Sequence, residues 1–171
     1  MNRFPIFLGT LFLLAGCGSS PRNEGERRPE LLNRGAEEFL KGGYGLAATH
    51  YENYLTLNPL SVQRAWIFTR IGLCRNGDGD YRGAISAFGR ALAAGARGTL
   101  RIEILYRRAI AYNFNDMPDL ALLDLERVSL EPVPVREGVL KTAEFERIFG
   151  VTLIRAGEWK RGRRVLENLV R

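Results

Sequence analysis

The chain has 171 residues, enough for one domain with its own core, and its 46% hydrophobic and 26% charged residues are ordinary for a globular protein. The net charge of +6 comes almost wholly from arginine, with Lys41, Lys141 and Lys160 the only lysines, so it reads as an arginine bias and implies no nucleic-acid partner. A single histidine, His50, excludes most hydrolytic metal sites and most histidine-based catalysis.

Residues 1–16 carry one charge, Arg3, followed by a mostly apolar run from Phe4 to Ala15. That run is too short to cross a bilayer core of about 30 Å, which takes about 20 helical residues. A basic start, a short apolar stretch and a small-residue end predict a secretory signal peptide. The alternative, a buried N-terminal helix, is opposed by Pro5, Gly9 and Gly16.

Leu14-Ala15-Gly16-Cys17 resembles the lipobox of bacterial lipoproteins. The resemblance implies cleavage before Cys17, diacylglycerol on its sulfur and an acyl chain such as palmitate on its new amine. Gly18 in place of an aspartate implies sorting to the outer membrane, facing the periplasm. Several acyl chains on one residue anchor far more firmly than the marginal hold of a single chain. Residues 17–29 are then the lipidated cysteine and a linker. Gly18 to Pro29 offers nothing apolar to bury, so it reads as a flexible tether. Fully extended it reaches roughly 40 Å; as a relaxed coil it spans about 20 Å.

From residue 30 onward the chain repeats. Gly35, Gly72, Ala109 and Gly150 are separated by 37, 37 and 41 residues, and so are Ala47, Ala84, Ala121 and Gly162. Large apolar residues follow the second set by four and by seven: Tyr51 and Tyr54, Phe88, Leu125 and Val128, Leu166 and Leu169, with Ala91 the one small exception. Between the two sets stand a glycine (Gly42, Gly79, Gly157) and, two residues later, an aromatic (Tyr44, Tyr81, Trp159). The third unit has Asp116 and Pro118 at these places.

This pattern resembles the tetratricopeptide repeat (TPR), with units at about 30–59, 64–96, 101–132 and 141–171. The expected fold is all-α, a right-handed superhelical stack of about four helix-turn-helix units. Small residues let the two helices of a unit approach, glycine supplies the left-handed turn, and apolar residues at i, i+4 and i+7 make the buried stripe. Pro118 suits the first turn of a helix. Pro59 and the stretch from Glu131 to Val135 break helices between units.

Three departures stand out. The family period is 34, so extra residues must lengthen helices or loops. Arg34, Glu38, Arg75, Arg108 and Glu146 occupy usually apolar positions; either those ends are exposed or the register slips. No polar capping helix follows unit four, as such stacks usually need. Either its own basic second helix is the cap, or Val165, Leu169 and Val170 pair with a partner, a homo-oligomer included. The basic cluster there reads as a solvated face or as a contact with anionic lipid.

No catalytic constellation emerges, so the chain is read as a non-enzyme without cofactor or metal. Asn76 to Asp80 begins like a calcium loop, but Tyr81 and Ala87 stand where the glycine and glutamate would be needed. A turn with Asp80 as N-cap explains it better. His50 reads as a surface or packing residue. Cys74 reads as a small core residue, an intermolecular disulfide being the alternative.

The TPR resemblance implies binding of a protein or peptide in a groove lined by first helices. The groove positions map onto Phe39; Trp66, Thr69, Leu73 and Asn76; Tyr106, Ile110, Asn113 and Phe114; and Arg147, Val151, Ile154 and Arg155. Aromatics mixed with asparagine and arginine suit an interface, although Trp66, Tyr106 and Phe114 also fit a core. The clamp positions of chaperone-binding members hold Leu32 and Ala36, so a chaperone tail is not implied. The expected role is a membrane-anchored periplasmic adaptor, as in envelope, pilus or secretin assembly. A self-associating structural lipoprotein and a cell-wall enzyme are the alternatives.

Overall fold

The computed structural model describes residues 24–170, and the lipobox with Cys17 lies outside them. Among the described residues the only regular secondary structure is helix. Unit one pairs α1 (Glu24–Leu40) with α2 (Tyr44–Leu57), unit two α3 (Arg64–Gly77) with α4 (Tyr81–Ala93), and unit three α5 (Gly98–Phe114) with α6 (Pro118–Ser129). After the short α7 (Val133–Glu137), unit four pairs α8 (Thr142–Arg155) with α9 (Trp159–Asn168). No helix among them is long and apolar enough to cross a membrane.

The repeat register explains the hairpins. At the turn, Gly42, Gly79 and Gly157 have φ of +80°, +76° and +85°. The third unit meets the same need with Asp116 at φ +55°, the one non-glycine in this conformation among the described residues; aspartate is among the few side chains that tolerate it. The next helix then starts on a cap. Asp80 accepts from the Gly83 amide at 2.9 Å, and Pro118 opens α6, where a missing N–H costs nothing.

The small residues set how closely the paired helices sit. A Cβ on Gly72 would lie 2.6 Å from the Phe88 ring, and one on Gly35 would lie 2.9 Å from Tyr51. In each pair the aromatic stands sixteen positions after the glycine. Unit three keeps the spacing with Ala109 and Leu125, both fully buried. Tyr51, Tyr54, Phe88, Ala91, Leu125 and Val128 are all buried as the stripe requires, while Leu169 in unit four is 36% exposed. Cys74 is a buried free thiol in the core of units one and two. Ile104 and Ala111 of α5 join that same core, which locks unit three onto unit two.

The residues in excess of the family period go to three different places. They form the loop 58–63 after α2, three extra residues of α5 relative to α3, and α7 ahead of α8. The stretch from Glu131 to Val135, expected only to break helices, thus runs into a short helix of its own. The N-terminus also differs from expectation: α1 starts at Glu24, so 24–29 extend the first helix instead of the tether. Glu24, Glu26, Arg27 and Arg28 are good helix formers.

The charged residues at apolar positions do not mark a slipped register. Arg34 is exposed and pairs with Glu30. Arg75 of α3 reaches back to Glu52 of α2 at 2.9 Å. Glu146 lies 3.8 Å from Arg136, whose side chain is 9% exposed. Arg108 is neither exposed nor misaligned. Its Nε and Nη2 donate to the Asp124 carboxylate at 2.7 and 2.9 Å, with the two side chains 15% and 2% exposed. Burial disfavours the Arg108 charge, but the Asp124 hydrogen bonds outweigh it and raise the guanidinium pKa.

Candidate functional site

The first helices α1, α3, α5 and α8 line one face of the stack, and side chains cross between neighbours. Its two halves differ. In the upstream half, Phe39 is half-buried and packs edge-on to Tyr44, with ring centroids 5.3 Å apart. The Arg70 guanidinium of α3 covers Phe39 at 4.6 Å and reaches Trp66 at 5.8 Å. Trp66 is 40% exposed and meets the buried Tyr51 ring edge-on at 6.2 Å. Leu73 and Asn76 come next along α3, both half-buried. Together they form an aromatic and cationic patch whose faces remain accessible.

Polar atoms in this row have no hydrogen-bond partner among the described residues: Nε of Arg70, Oδ1 of Asn76, Nε of Arg107 and Oδ1 of Asn113. Each is buried, and a buried polar group left unpaired is costly. Arg70 and Arg107 were missed by the groove mapping. They stand 37 residues apart, one repeat, and that spacing was the signal that marks them as equivalent.

Burial and hydrogen bonding correct several groove assignments, Thr69 on α3 in the upstream half and the others downstream. Thr69 is 2% exposed and its hydroxyl donates to the Ala65 carbonyl at 2.8 Å, so it offers a ligand nothing. Tyr106 is 1% exposed and donates to Glu144 of α8 at 3.0 Å. Burial, then the Glu144 hydrogen bond, pushes its phenol well above the usual range. Asn113 Nδ2 donates to Thr152 Oγ1 at 2.7 Å. Arg155 donates to the Asn113 carbonyl at 2.7 Å and to Asp116 at 3.0 Å. Tyr106, Asn113 and Arg155 therefore fasten unit four to unit three; they are joints, not free groove surface.

Phe114 is 64% exposed but stacks on Tyr81 at 4.9 Å, at the hairpin-turn edge where unit three meets unit two. Ile110 is half-buried, Arg147 is exposed, and Val151 is 40% exposed. Ile154 belongs to another surface, an apolar groove at the C-terminal end with Trp159, Leu166 and Val170, bordered by Arg163 and Glu167. Those last two pair along α9 at 2.6 Å, on its exposed side. Val165 is half-buried against the unit three and four core, whereas Val170 is 89% exposed.

Among the described residues, no group of three or more His, Cys, Asp or Glu side chains is placed to hold a metal ion. His50 is half-buried on α2.

No family model matches the chain, and no curated protein matches it in sequence. Solved structures do match. MamA superposes with a TM-score of 0.68 at 16% identity, over 86% of this chain and 78% of that one. YrrB, described as a TPR protein with an unusual peptide-binding site, gives 0.68 at 20% identity over 85% and 69%. The N-terminal domain of stress-induced protein-1 from C. elegans gives 0.56 at 14% identity over 71% and 95%. At such identities the likeness is one of backbone, and it agrees with the turns, close helix pairs and buried stripe described above: the chain has the tetratricopeptide-repeat fold.

Proposed function

We propose that this protein is a lipid-anchored adaptor that binds an extended protein segment along the upstream half of its first-helix face and holds it near the outer membrane, facing the periplasm. The observation that carries the binding reading is the accessible Phe39–Arg70–Trp66 patch, with the half-buried Leu73 and Asn76 beside it on α3. Aromatic faces supply contact area, and the Arg70 guanidinium over them adds a cation to the same surface. The peptide-binding site named for YrrB, a protein of this fold, supports the same reading. The lipobox at Leu14–Cys17 supports the anchor. On this reading the chain is not an enzyme: it positions a partner in envelope, pilus or secretin assembly.

The test is site-specific photocrosslinking in cells. A photoreactive phenylalanine at Trp66 should give a discrete adduct of higher mass. The same probe at Leu123, exposed on the second helix α6, should give none. Equal adducts at both positions, or none at Trp66, refute the groove. Mass spectrometry of the mature chain should find its N-terminus at Cys17 bearing acyl chains; an unmodified Cys17 refutes the anchor.

Self-association is a second reading, favoured by one observation. The aromatic that opens each second helix is covered by the next first helix in units one and two, Tyr44 against Gly77 and Tyr81 against Phe114. Trp159, at the same repeat position, is 57% exposed. A sedimentation profile that stays monomeric at high concentration rules this reading out.

A further inference from the structure

The loop 58–63 between α2 and α3 has its polarity inverted. Its asparagine points in: Asn58 is 8% exposed, and its Nδ2 donates to the Tyr54 carbonyl at 3.0 Å. Its aliphatic residues point out: Leu60 is 89% and Val62 99% exposed, beside Leu57 at 50%. The backbone is ordered by its own hydrogen bonds, Ser61 N–H to the Asn58 carbonyl at 3.1 Å and Arg64 N–H to the Ser61 carbonyl at 3.2 Å. The Gln63 amide also donates to the Ser61 hydroxyl at 3.1 Å. The Asn58 side chain and the Ser61 hydroxyl are used inside the loop, and Leu60 and Val62 dominate its outward surface beside the exposed Gln63. Clustered exposed apolar side chains mark a contact surface.

The position of the loop indicates its contact. α2 runs antiparallel to α1, so its C-terminal end lies beside the start of α1; Glu30, Leu31 and Arg34 share a cavity with Asn53, Thr56 and Leu57. α1 begins at Glu24, seven residues after Cys17, a span of at most about 25 Å even when fully extended. A chain anchored at Cys17 therefore keeps this corner within reach of the bilayer. From Leu57 to Arg64 there is no acidic residue, and Arg64 is exposed. Leu130, 84% exposed between α6 and α7, lies further along the same edge.

We propose that Leu60 and Val62 insert into the surface of the bilayer that carries the Cys17 anchor, with Arg64 among anionic headgroups. The inference rests on the lipid-anchor reading and adds a second attachment point. Two contacts fix the orientation of the stack, which a tether alone leaves free.

The experiment uses the lipidated full chain in vesicles of phosphatidylethanolamine and phosphatidylglycerol. A polarity-sensitive fluorophore is placed on Gln63→Cys, next to the apolar pair, or on Asp119→Cys at the opposite, hairpin-turn edge. The expected result is several-fold weaker quenching by aqueous iodide at position 63 than at position 119, only with vesicles present. Leu60→Ser/Val62→Ser should abolish the protection while the chain still floats with the vesicles. Equal quenching at both positions in a chain that floats overturns the loop contact and leaves the anchor standing. Failure to float overturns both. Protection at position 63 that grows with protein concentration without vesicles identifies a second copy as the occupant and overturns the membrane contact.

Discussion

Removing the Asp124 carboxylate should be among the most damaging single changes available in this chain. Asp124 is 2% exposed and accepts two hydrogen bonds from Arg108, whose side chain is 15% exposed. Arg127 adds a third contact at 3.3 Å from a side chain 53% exposed. Asp124→Ala leaves the Arg108 guanidinium buried without its carboxylate, a change that typically costs about 3–5 kcal/mol. Because Arg108 keeps some contact with water, the lower end applies, about 3 kcal/mol. A domain of this size has about 5–15 kcal/mol in all and loses about 2–4 °C of Tm per kcal/mol, so the expected drop is roughly 10 °C. Arg108→Met/Asp124→Leu removes both charges and keeps the volume, and should stay within about 1 kcal/mol of wild type. Urea unfolding followed by far-ultraviolet circular dichroism measures both. The slope must be compared as well, since losing unit three would split the stack and its cooperativity. If the double variant falls as far as the single one, the cost is packing and the buried charge is not its source.

Gly72→Ala places a Cβ 2.6 Å from the Phe88 ring, whereas Gly45→Ala meets only the Asp78 carboxylate at 3.5 Å. The first should cost about 1–3 kcal/mol by overpacking and the second should gain up to about 1 kcal/mol in helix propensity; thermal melts in the opposite order would falsify the close-packing account. Asn113→Ala/Arg155→Ala removes hydrogen bonds between α5 and α8, so amide exchange should quicken in 142–168 and stay unchanged in α3 and α4. Uniform acceleration along the chain would contradict a local joint. Cys74 is fully buried, and burial pushes its thiol from the usual 9.0 up to about 11. Ellman's reagent at neutral pH should react with it only as fast as the chain unfolds. Because the unfolded thiol ionises at lower pH than the folded one, this group's share of stability is full below about pH 9 and falls as pH rises towards about 11.

Much of the fold was legible because its determinants are local and repeat. The spacing of Gly35, Gly72, Ala109 and Gly150 carries the close helix approach, and Gly42, Gly79, Asp116 and Gly157 carry the left-handed turn. Each is a backbone requirement that leaves a mark at one position. The excess over the family period was legible as a number but not as a place, since a loop, a longer helix and an inserted helix consume residues equally well. Arg108 looked misplaced because its partner, Asp124, lies across the hairpin, and nothing in the spacing of apolar residues announces a buried ion pair.

The candidate site was harder to read because register gives the face of a helix but not the distance to its neighbour. Trp66 and Tyr106 both map to the first-helix face, yet one is 40% and the other 1% exposed; they are not repeat equivalents, since one repeat of 37 residues relates Tyr106 to the equally buried Thr69. The difference lies in the side chains packed over each ring. Past Tyr106, Glu144 and Phe145 of α8 close over the ring, with the phenol bonded and the rings 6.4 Å apart. Around Trp66 the neighbour is Arg70 of its own helix, which lies over the rings without sealing them. The face therefore splits into a half used up in joining units three and four and a half left open across units one and two. That asymmetry leaves the open half on α1 and α3. A partner bound there would leave the structure of units three and four untouched, whereas a partner bound at units three and four would have to break the joint that keeps α8 and α9 in the stack.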